Sequence, residues 1–95
     1  MIDKHYTEAL RHLDDAGADL LRLGVYTFAI TPLRRALYDA AHGGTPGDVS
    51  RVAGQFESLA ASVHDAAPHT AKHLLAAARV LLASVGVTAT PTRLT

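Results

Sequence analysis

Helix punctuation limits the folds open to this chain more than any other feature of its sequence. Pro32, Pro46 and Pro68, the pair Gly43-Gly44 and Gly86 cut it into short runs. Within the runs, apolar side chains recur at spacings of three and four, the period of an amphipathic helix. From Asp3 to Leu23, the stripe is Tyr6, Leu10, Leu13, Gly17, Leu20 and Gly24, with Asp3 as N-cap. Gly17 and Gly24 either permit close approach of another backbone or weaken the helix, at about 1 kcal/mol each. Thr31-Pro32 reads as N-cap and first residue of a short helix that turns Leu33, Ala36, Leu37 and Ala40 inward. His42-Gly43-Gly44 closes that helix by the glycine C-cap logic. Thr45-Pro46-Gly47-Asp48 opens a third helix in capping-box style. It runs to about Ala67 and buries Val49, Val52, Phe56, Leu59, Ala60 and Val63. After Pro68, the period continues through Ala71, Leu74, Leu75, Ala78, Leu81, Leu82 and Val85.

Leu23 to Thr31 is ambiguous, because Val, Tyr, Thr, Phe and Ile also favour strands. A lone strand needs a partner, and Val85 to Thr90 is the only other β-rich run. Pairing the two would leave two exposed edges, so continuation of the helix is the favoured reading. The predicted fold is an all-α bundle of four helices, the second short. It occupies residues 1–86, with an extended or flexible tail at 87–95.

Composition narrows the function classes. Apolar residues make up 48% of the 95, but 18 are alanine, so the core rests on leucine, valine and a few aromatics. Nine basic and nine acidic side chains cancel, which removes the electrostatic case for binding nucleic acid. With no cysteine there is neither a thiolate nucleophile nor a thiolate metal site. The longest uncharged apolar stretch, Leu23 to Leu33, falls well short of the about 20 residues of a membrane span. The amino-terminal residues carry no Sec-type signal, so the expected location is cytoplasmic unless a non-Sec route exports the chain.

Six histidines are the main chemical oddity: His5, His12, His42, His64, His69 and His73. His69 and His73 have the i, i+4 spacing that can place two imidazoles on one metal. His5, Glu8, His12, Asp15 and Asp19 form a second stripe of potential ligands. If Tyr6, Leu10 and Leu13 mark the buried face, however, this stripe points nearly the opposite way. His69 and His73 likewise lie half a turn from Ala71, Leu75 and Ala78. No Glu-x-x-His pair of the kind used in bundle cores is present. The expectation is therefore exposed histidines, with no metal site and no cofactor; a pH-sensitive interface is the other reading, since imidazoles change charge at about pH 6.5. The serines lie outside any nucleophile elbow, and the Gly43–Gly47 loop is not followed by Gly-Lys-Ser/Thr. No catalytic residue is identified, and the chain is not expected to be an enzyme.

The last helix is more informative. Leu74 to Val87 carries a single charge, Arg79, and the side away from the inward stripe includes Ala76, Val80 and Ala83. A helix apolar nearly all round is either central to a bundle or covered by another chain. Leu74, Leu75, Val80, Leu81, Leu82 and Val85 are thus candidate partner-binding residues, for a protein partner or a second copy. Charge is also uneven: Arg22, Arg34, Arg35 and Arg51 make the middle of the chain basic, whereas residues 1–20 are acidic. Either docking or solvated helix faces account for this. The predicted function is a non-catalytic interaction or adaptor protein acting as an oligomer. A His-based metal- or ligand-binding bundle is the alternative.

His42-Gly43-Gly44 at mid-chain, Phe56, His64-Asp65-Ala66 and Thr70-Ala71-Lys72-x-Leu74-x-x-Ala77-Ala78 together resemble the small WxG-motif helical-hairpin proteins of type VII (ESX) secretion. The turn has no Trp, and Leu81 and Val85 stand where that family's Tyr-x-x-x-Asp/Glu signal would fall. Thr31-Pro32 would interrupt its long first helix. The resemblance implies a non-catalytic helical partner that works as a dimer.

Overall fold

The computed structural model describes residues 3–24 and 29–86. Among them the chain forms four helices and no strand: α1 (Asp3–Arg22), α2 (Ile30–Ala41), α3 (Pro46–Val63) and α4 (Pro68–Ser84). Each helix packs on its neighbours in sequence, and α4 returns to α1, so the four close a ring. Among the described residues no backbone approach crosses its diagonals. The α3/α4 and α1/α4 seams are the most extensive. Helix α4 is therefore shared between two partners within its own chain.

Local chemistry explains most of the boundaries. At α3 the Asp48 N–H donates to Thr45 Oγ1 (3.2 Å) and the Thr45 N–H donates to Asp48 Oδ2 (3.0 Å), the expected capping box. Gly44 is required where it stands. A Cβ there would lie 2.7 Å from the Ala40 Cα, so the chain leaving α2 can pass only as glycine.

Other expectations need correction. Helix α1 runs unbroken through Gly17, where a Cβ would meet only Ile30 Cγ2 at an ordinary 3.6 Å. Gly24 permits no close approach either. Its φ of +73° and its N–H donation to the Leu21 carbonyl (3.1 Å) make it a helix terminator. Helical continuation beyond Leu23 therefore fails at Gly24, and Val25 to Phe28 lie outside the described residues. Helix α2 starts at Ile30, ahead of the expected Thr31-Pro32, because Ala29 already has right-handed helical angles. Pro32 then falls in the first turn, where a missing N–H costs nothing. Helix α3 stops at Val63, and Ala67 sits in the connection, its N–H donating to the Val63 carbonyl (2.7 Å). The expected tail, 87–95, lies outside the described residues.

Phe56, Leu13, Leu20, Leu37, Leu74 and Leu81 are the large side chains most completely buried. Each contributes about 1.5–3 kcal/mol of apolar burial. Around them the contact surfaces are lined with small residues: Ala9 and Ala16 on α1, Ala53 and Ala60 on α3, Ala71, Ala77 and Ala78 on α4. These alanines shift where the faces lie. The buried face of α1 is centred on Ala9, Leu13, Ala16 and Leu20, roughly 60° around the helix from the Tyr6/Leu10/Leu13 face. Helix α4 buries Thr70, Ala71, Leu74, Ala77, Ala78 and Leu81, a rotation of similar size away from Leu75.

Candidate metal centre

That rotation brings the two histidine-bearing stripes together. His12 and Asp19 lie two turns apart on α1, and His69 and His73 one turn apart on α4. Across the antiparallel seam, the Nδ1 atoms of His12 and His73 are 3.4 Å apart. Further along, one ligand atom each from Asp19, His69 and His73 lies within 4.8 Å of the other two. The His69 and His73 rings meet edge to face, with centroids 5.0 Å apart and planes at 84°. The expectation of exposed histidines is thus corrected for His12 and His73, which are half-buried. His69 remains exposed at the mouth of the site.

Asp19 is the unusual member. It is only 9% exposed, its Oδ1 accepts from the Arg22 guanidinium, and its Oδ2 is buried with no hydrogen-bond partner. It also stands in the last turn of α1, where the helix dipole disfavours negative charge. The amino end of α4, where His69 sits, offsets this in part. A buried carboxylate oxygen left unpaired costs stability, and a cation held between it and the two imidazoles would remove that cost. Ligands in a tetrahedral zinc site stand about 3.3 Å apart. The three donors would therefore need to draw together, and exposed His69 is the side chain with room to move.

Two imidazoles and one carboxylate suit zinc and its transition-metal neighbours, not magnesium or calcium, which take all-oxygen shells. Three protein ligands leave a fourth position for water or another donor. In the sequence, His69 and His73 were legible by spacing. The apolar pattern alone turns Asp19 and His12 away from them, because alanine carries little weight as a marker of a buried face.

The remaining histidines have other surroundings. His42 stacks on Tyr38 at 4.0 Å and meets Tyr6 edge-on at 5.4 Å, joining the end of α2 to α1. His64 is exposed beside Asp65, 3.6 Å away. Part of the charge asymmetry is used within the chain: Arg34 of α2 pairs with Asp14 of α1.

The six residues expected to bind a partner do not share one surface. Leu74 and Leu81 belong to the core, at 0% and 1% exposure. Leu75 is exposed, and Val80, Leu82 and Val85 pack partly against the core. The core positions of Leu74 and Leu81 follow from α4 packing against both α1 and α3. Among the described residues, no helix is long and apolar enough to cross a membrane. No family model, curated protein or solved structure matches the chain.

Proposed function

We propose that this protein binds a divalent transition-metal ion, zinc being the best fit, at the α1/α4 seam through Asp19, His69 and His73. The observation that carries this reading is the convergence of three donors from two helices on one point, one of them a buried carboxylate with an unpartnered oxygen. The ion would join the first and last helices of the ring and neutralise Asp19. Elemental analysis of untagged protein after exposure to zinc and desalting tests it. The expected result is one zinc per chain, lost in His69→Ala and His73→Ala. Metal-free wild type whose melting is unchanged by zinc would overturn the proposal.

A second reading, a protein–protein contact through the outer side of α4, is supported by Leu75, 36% exposed in the middle of the helix. The partner is another protein or a second copy of the chain. Light scattering on the untagged protein would show a dimer that Leu75→Asp dissociates, and a strict monomer that retains no partner would end this reading.

A further inference from the structure

We propose that His12 is the positioning residue of this centre. It holds His73 in the tautomer that presents Nε2 to the ion, and it is not itself a ligand. The inference rests on the metal-binding reading above and adds how one of its ligands is aimed. The His12 and His73 rings meet through their Nδ1 atoms at 3.4 Å, a long hydrogen bond, with centroids 5.6 Å apart and planes tilted by 41°. A neutral imidazole has one N–H and one lone pair, so across this contact one ring donates and the other accepts. His73 must keep a lone pair for the ion. Its Nδ1 faces His12, which leaves Nε2 as the ligating nitrogen. The proton of His73 therefore sits on Nδ1 and is donated to His12 Nδ1, and His12 carries its own proton on Nε2.

This is the outer-shell arrangement that metal-bound histidines adopt almost without exception, with an unusual acceptor: a second imidazole in place of a carboxylate or carbonyl. Two further observations support it. His12 is not among the three residues whose donors converge. His73 is in ring contact with both His12 and the edge-on His69, and its Nδ1 contact is with His12.

The test is zinc binding to the untagged full chain, titrated with zinc chloride against a chromophoric chelator and paired with X-ray absorption to count imidazoles. His12→Ala should weaken zinc binding about 10- to 100-fold while the metal-free protein keeps its helical content. His12→Asn, whose amide oxygen can accept where Nδ1 does, should recover binding to within a few-fold of wild type. The absorption spectrum should show two imidazoles per zinc in all three proteins. Unchanged affinity in His12→Ala overturns the inference and leaves the metal site standing. Three imidazoles in wild type and two in His12→Asn, with no recovery, overturn it by making His12 a ligand. Wild type that binds no zinc removes both readings. If His12→Ala does not fold, His12→Leu against His12→Asn carries the same comparison, since leucine fills the space without an acceptor.

Discussion

Replacing Asp19 by leucine, which is close to it in shape, separates the stability of the bundle from its capacity for metal. Without zinc, the substitution removes a buried oxygen that has no partner, which costs about 1–3 kcal/mol in a folded protein. It also removes the pair with Arg22, whose side chain is 68% exposed; such a pair is worth about 1 kcal/mol. The balance makes zinc-free Asp19→Leu as stable as wild type or up to about 2 kcal/mol more stable. For a chain of this size that is a rise in melting temperature of up to about 10–15 °C. With zinc the order reverses. Wild type at a free zinc concentration one hundred times its dissociation constant gains about 2.7 kcal/mol, and the variant gains nothing. Thermal unfolding followed by circular dichroism, with zinc and with chelator, measures all four quantities. A variant that loses more than about 1 kcal/mol in chelator would show that the Asp19 carboxylate is already satisfied, and that its burial is no sign of a missing cation. A variant that still gains stability from zinc would show that Asp19 is not a ligand.

Other predictions concern the scaffold. Gly44→Ala should destabilise the protein by about 1–3 kcal/mol in urea unfolding, because the new Cβ meets the Ala40 backbone; an unchanged midpoint would contradict the close approach. Leu81→Asp should abolish cooperative unfolding because Leu81 is in the core, whereas Leu75→Asp should cost only about 1–2 kcal/mol, the part of a leucine's burial that Leu75 has. Equal effects would contradict the placement of α4. The Thr45 backbone N–H and the Arg51 side chain hold the Asp48 carboxyl below its ordinary value of 3.8, against an opposing effect of desolvation. The folded value is thus lower than the unfolded one. The contribution is complete above about pH 5 and is lost as pH falls through the unfolded and then the folded value. The stability difference between wild type and Asp48→Asn should therefore shrink in acid, and a difference independent of pH would refute this.

The elements were legible in the sequence because their signals are chemically strong. Thr45 and Asp48 can satisfy each other's backbone groups in only one local geometry, and Pro46 and Pro68 fit a helix only in its first turn. The short second helix could be read from Leu33, Leu37 and Ala40 for the same reason. What could not be read was the rotation of α1 and α4. Tyr6 and Leu10 look like core by size, yet Ala9 and Ala16 are more deeply buried, since close helix approach rewards the small side chain. The same applies to Ala77 and Thr70 against Leu75. A difference of roughly 60° in two facing helices is enough to put side chains that in fact converge on opposite sides of the molecule. The His69/His73 spacing was visible, whereas the partnership with Asp19 depends on that angle and on nothing local.

The closure of the ring by α1 and α4 has a topological consequence. An ion held by Asp19 and by the two histidines near the start of α4 ties the chain into a loop that contains all of α2 and α3. In a polypeptide without cysteine this links distant parts of the chain as a disulfide would, except that unfolding releases the ion, so the gain comes from binding the folded state alone. Unlike a disulfide, the tie would open and close with metal supply and without redox chemistry. The loop it controls is most of the protein.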